Sequence, residues 1–121
     1  MKTFKFQQLI TTLTTATLES KGETSSEIRK AVTDYAVSVN QDQTPENGRF
    51  APNLIPYINK VALQAYKITD SDVEQLKSQN YSEDEIFELT ISAALGAGLA
   101  RLERGLELLA NEGETHALTN S

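Results

Sequence analysis

Cysteine is absent from this chain, and so is tryptophan. Without a thiol there can be no disulfide, no thiolate nucleophile, no thiol peroxidase chemistry and no Cys-ligated zinc. Histidine is nearly as scarce. The single one, His116, falls in a polar tail, where an exposed side chain is expected rather than an acid–base group. Positive charge is thin as well: eleven Lys and Arg stand against seventeen Asp and Glu, for a net charge of −6. The basic residues are scattered singly, whereas phosphate binding draws most of its affinity from clustered Lys and Arg. Nucleic acid and anionic membrane surfaces are therefore not expected partners, which also disfavours a transcription-linked or membrane-associated regulator.

No run approaches the roughly 18 apolar residues that a membrane span requires. The start, Met1-Lys2-Thr3-Phe4-Lys5, has the charge of a secretory leader. The stretch that follows, "FQQLITTLTTATLES", is broken by Gln and Thr and offers no small-x-small cleavage site. A cytoplasmic location is the resulting expectation.

What remains is an ordinary soluble composition, 39% hydrophobic and 23% charged over 121 residues, enough for one domain with a modest core. Helix starts are legible. Ser82-Glu83-Asp84-Glu85 reads as a capping box, with Tyr81 and Ile86 at the hydrophobic-staple positions. Thr69 to Asp72 repeats the device with Ile68 and Val73 as the staple, and Thr24 to Glu27 gives a third box without one. Helix bodies agree with these starts. Ile28, Val32, Tyr35, Ala36 and Val39 share one face. So do Leu54, Tyr57, Ile58, Val61, Ala62 and Ala65, with Pro56 tolerable only in a first turn.

Val73 and Leu76 anchor a short helix ending near Asn80, a residue able to turn left-handed. Near the N-terminus, Phe6, Leu9, Ile10, Leu13 and Thr17 fall on one side of a further helix, although its threonines are mediocre helix formers. The stretch from residue 40 to residue 53, rich in Pro, Gly, Asn and Gln, is a long loop. The reading is all-α, about five helices in a single domain over residues 1–110, with residues 111–121 as a disordered tail.

The segment "ISAALGAGLARLERG", Ile91 to Gly105, could be a glycine-rich phosphate turn or a helix needing small residues. A dinucleotide turn wants a third small residue where Arg101 stands, and an acidic residue about 20 positions on, where the chain has nearly ended. The segment also follows a helix-capping box. A helix is therefore expected, with Phe87, Ile91, Ala94, Leu95, Gly98, Leu102, Leu106 and Leu109 in one seam. Ile86, Leu89, Ala93 and Ala97 form a second. Each glycine inside a helix costs about 1 kcal/mol relative to alanine. Close approach of another helix to Ala94, Gly98 and Gly105 would offset that, within the subunit or across an oligomer contact.

The run "ITDSDVEQLKSQNYSEDEIFELTISAALGAGLARLERGL" resembles the later part of the alkylhydroperoxidase D (AhpD) and carboxymuconolactone decarboxylase superfamily, and is most similar to its peroxidase-related members. The shared pattern is T-x-x-D-V-x-x-L, here Thr69, Asp72, Val73 and Leu76, then S-x-D-x-I, here Ser82, Asp84 and Ile86. A helix rich in small residues follows, Ser92 to Ala100, and Asn80 stands near where the family favours Gly. The likeness covers roughly residues 54 to 109. It implies an all-α fold and assembly as dimers, trimers or hexamers. It carries over no chemistry: the peroxidase branch works through a Cys-x-x-Cys pair with a nearby His, and the decarboxylase branch depends on a His with neighbouring polar groups. Neither set occurs at matching positions.

Other candidate sites are modest. Glu85 and Glu88, at i and i+3, have the spacing of a carboxylate metal motif, but a di-metal bundle needs Glu-x-x-His elements from two helices, and Glu85 already has a capping role. Asp70, Asp72 and Glu74 suit a helix start and lack the glycine turn of a Ca²⁺ loop. Arg101 and Arg104 alternate with Glu103 and Glu107 as on a solvated face. Arg101, beside the small-residue seam, and Tyr66 are the candidates for contact with a carboxylate ligand or a partner. Tyr35, Tyr57 and Tyr66 are expected in the core, with their hydroxyls reaching polar partners. No catalytic residue, cofactor or metal is assigned. The expectation is an oligomeric interaction or accessory protein without thiol redox activity. The alternative is a cofactor-free small-molecule binder or decarboxylase-like enzyme with a pocket of Tyr and Arg between helices.

Overall fold

The computed structural model describes Gln8, residues 22–41, Gln43 and residues 49–119, with side chains as far as Asn111. The helix expected around Phe6 to Thr17 and the side chain of His116 lie outside the described residues. Within them the chain is all-α, with four α-helices and no strand. These are α1 (Ser26–Asn40), α2 (Ile55–Gln64), α3 (Asp70–Ser78) and α4 (Glu83–Thr119), with 3₁₀ turns at Pro52–Leu54 and Ala65–Lys67. No helix among the described residues is long and apolar enough to cross a membrane.

Local chemistry accounts for most of these boundaries. At α4, Glu85 N–H donates to Ser82 Oγ at 3.1 Å while Ser82 N–H donates to Glu85 Oε1 at 2.9 Å, so both halves of the capping box form. At α3, Thr69 N–H reaches Asp72 Oδ2 at 2.8 Å. Asn80, at φ 74°, turns the chain out of α3 in the left-handed conformation that Asn tolerates. Pro56 sits in the first turn of α2, where it takes no N–H from the ladder.

Two boundaries depart from the sequence reading. Ser25, not Thr24, caps α1, its Oγ accepting from Ile28 N–H at 3.2 Å. Thr24 is drawn away because its N–H and hydroxyl are both held by Glu88, 64 residues on. Helix α4 continues through to Thr119, past Ala110, where a tail was expected to begin.

Helices α1, α2 and α4 form the body, with α1 packed most extensively against α4 and α3 set near the start of α4. Val32, Ile58 and Leu89 are fully enclosed, and alanines at 36, 62, 93 and 97 bring the helices together. The tightest approach is at Gly96, where an added Cβ would overlap Thr33 O and the Ala36 methyl. Thr33 Oγ1 also donates to Ser92 O at 2.9 Å, so α1 and α4 meet with this buried hydroxyl paired. Phe50, in the loop the sequence reads as polar, folds back edge-on to Tyr35 at 5.5 Å between ring centres and joins the core.

Candidate functional site

Helix α4 has two apolar seams but neighbours on only one side among the described residues. Ile86, Leu89, Ala93, Ala97 and Ala100 face α1 and α2 and are buried. The other seam stays in solvent: Phe87 is 64% exposed, Ile91 37% and Leu109 66%. Ala94 and Gly98 are exposed between them, and Leu95, Leu102 and Leu106 are half-buried. Gly98 and Gly105 have no heavy atom within 4 Å of where a Cβ would stand. The expected packing face of Ala94, Gly98 and Gly105 is therefore not a contact inside the described subunit. The close approach belongs to Gly96, which α1 touches because it lies on the other side of the helix.

This leaves an apolar stripe running from Phe87 to Leu109, about 33 Å at the α-helical rise. A monomeric protein seldom exposes a continuous apolar patch of this kind without a use for it.

The two candidate contact residues do not join into one site. Arg101 Nη2 donates at 3.2 Å to Ala62 O, which also accepts from Asn40 Nδ2 at 3.1 Å, near the end of α2, where the helix dipole favours a cation. Tyr66 is 82% exposed in the 3₁₀ turn after α2, with the Lys67 ammonium 6.0 Å from its ring centre. Tyr35 and Tyr57 are buried as expected, and Tyr66 is not, because the 3₁₀ turn carries it off the inward face of α2.

A cleft between α2 and α3 is lined by Asn53, Tyr57, Lys60, Asp72 and Gln79 and holds about 100 Å³. Ligand pockets commonly run to roughly 300–1,000 Å³. Five of its polar side chains are paired with protein groups: Lys60 Nζ with Asp72 Oδ1 at 2.8 Å, Tyr57 OH with Thr90 Oγ1 at 2.7 Å, and Asn53 Nδ2 with Gln79 Oε1 at 3.1 Å. The Lys60 ammonium, with help from Thr69 N–H, holds the Asp72 carboxyl below its ordinary range. The cleft is a latch between helices. A more open hollow of about 340 Å³ lies among Gln41, Gln43, Glu103, Arg104 and Glu107, polar and bridged by a bond from Gln41 Nε2 to Glu103 Oε2 at 3.1 Å.

Glu88, weighed from the sequence only as part of a carboxylate metal motif, has a clamping role that the sequence did not disclose. Its Oε2 accepts from Glu23 N–H at 2.8 Å, and its Oε1 accepts from Thr24 N–H at 3.0 Å and from the Thr24 hydroxyl at 2.7 Å. Burial pushes this carboxyl upward. The bonds from Thr24 and Glu23, with the charge of Arg29, outweigh burial and hold it below its usual value. Glu85 and Glu88 thus serve a cap and a clamp, and among the described residues no group of three or more His, Cys, Asp or Glu could hold a metal ion. Nothing local marks Glu88; its partners lie more than 60 residues away in the chain.

No protein-family model matches the chain, and neither a curated protein nor a solved structure shows significant similarity to it. The expected kinship with AhpD gains no support from these comparisons.

Proposed function

We propose that the protein is a helical interaction protein that works as a homo-oligomer, with the Phe87–Leu109 stripe of α4 as its contact face. The observation that carries this reading is the exposure of that stripe: Phe87, Ile91 and Leu109 in solvent around open positions at Gly98 and Gly105. Helical glycines are unfavourable by about 1 kcal/mol each unless something uses the room they leave. Nothing among the described residues uses it here, which favours a neighbour outside the described part of the subunit. The paired polar groups of the α2–α3 cleft favour interaction over substrate turnover. Kinship with the cysteine-dependent AhpD proteins remains part of this proposal only through Thr69 to Leu76 and Ser82 to Ala100; it would make this chain a member without thiol chemistry.

Sedimentation velocity across a concentration series tests the reading. The natural chain should sediment above the mass of one chain. Leu102→Glu with Leu109→Glu should return it to single chains with its helical circular dichroism intact. A natural chain that stays single at every concentration would sink the proposal.

A further inference from the structure

The exposed stripe of α4 is centred on Gly98. At about 100° per residue, Phe87, Ile91, Ala94, Leu102, Gly105 and Leu109 all fall within about 40° of it around the helix. They also fall in matched pairs along the helix. Ala94 and Leu102 stand four residues to either side of Gly98, Ile91 and Gly105 seven, and Phe87 and Leu109 eleven. The spacing therefore reads the same from either end.

A surface that meets its own copy across a two-fold axis has to be self-complementary. Laid antiparallel about Gly98, this stripe sets Gly98 on Gly98, Ala94 on Leu102, Ile91 on Gly105 and Phe87 on Leu109. Near the centre, each large side chain faces a small one or none, so the two main chains can come close. Toward the ends, where crossing helices diverge, paired large side chains fill the wider gap. Laid parallel, the stripe sets Ile91 on Ile91, Leu102 on Leu102 and Gly105 on Gly105. The bulky pairs would hold the helices apart and leave a void at the glycines, which forfeits packing contacts. Side-chain size decides for the antiparallel arrangement.

The face is also clear. Gly98 and Gly105 look onto open space, and Phe87, Ile91 and Leu109 are exposed. The charged side chains at its margins are held by their own subunit, Arg101 by Ala62 O and Glu88 by Glu23 and Thr24.

We infer that two copies of the chain pair through antiparallel α4 helices crossing at Gly98, with Ile91 of each copy seated at Gly105 of the other. This orientation and register rest on the reading of the stripe as a contact face.

Because the chain has no cysteine, one placed at a chosen position reports a single contact. Ala94→Cys and Leu102→Cys chains are mixed in equal amounts in a glutathione redox buffer, and the disulfide-linked species are counted by mass. Random pairing would give the mixed disulfide an excess of about twofold over either homodisulfide, and the antiparallel contact should raise that several-fold. Ile91→Cys mixed with Gly105→Cys should behave alike. Two copies of position 94 would lie about 12 Å apart along the antiparallel pair, too far for a disulfide. Circular dichroism of the reduced variants verifies that the body stays folded.

Dominant homodisulfides, or no excess over random pairing in either mixture, would overturn the antiparallel register. If the natural chain still sediments above single-chain mass, the contact-face reading survives that result. A natural chain that stays single at every concentration would end both.

Discussion

Gly96 and Gly98 lie two residues apart on α4 and meet opposite surroundings. Gly96 faces Thr33 O and the Ala36 methyl, with no room for a further carbon, while Gly98 faces open space. Gly96→Ala should therefore destabilise the fold by about 2 kcal/mol, since the obstructing atom is backbone and α1 would have to move. Gly98→Ala should stabilise the isolated chain by about 1 kcal/mol through helix propensity. Urea unfolding of the two variants checks the pair, and effects of the same sign would contradict the assigned helix faces. Composition alone cannot tell the two glycines apart. The pattern shows that small residues are wanted on this helix, but the choice between Gly96 and Gly98 depends on where α1 crosses.

At the scale of the elements, starts and stops were the most readable features. Ser82 with Glu85, Thr69 with Asp72 and the turn at Asn80 all form where the residues call for them. Each is a bond or a dihedral decided within four residues, so nothing distant can easily override it. The start of α1 is the informative exception, because Glu88 competes for Thr24 from another helix. That clamp has a pH signature. Glu88 is held below its ordinary value of 4.5, so its contribution is fully present above that pH and is lost as pH falls through the lower folded value. Glu88→Gln should lower stability by about 1 kcal/mol at neutral pH. It should also flatten the loss of stability below about pH 4.5 that the natural chain shows in denaturation across pH. An unchanged acid limb would mean that the clamp is not closed in solution.

Across the whole molecule, charge and apolar exposure act against each other. A net charge of −6 makes two copies repel, while the α4 stripe favours their contact. Salt screens the first and leaves the second in place. Self-association measured by sedimentation should therefore strengthen as ionic strength rises from low values toward physiological. Association that weakened instead would point to ion pairs and away from the stripe.

The all-α class, the three described helix starts near their observed places and the amphipathic faces of α1 and α2 were determined by residues within a turn or two of one another. Local hydrogen bonding and 3.6-residue periodicity suffice to set them. Which seam of α4 became core was decided only in three dimensions, as were the inward fold of Phe50, the grip of Glu88 on Thr24 and the loss of Arg101 to a carbonyl of α2. In each case the partner comes from a distant part of the chain, and the outcome rests on which side of a two-sided helix its neighbours happen to occupy.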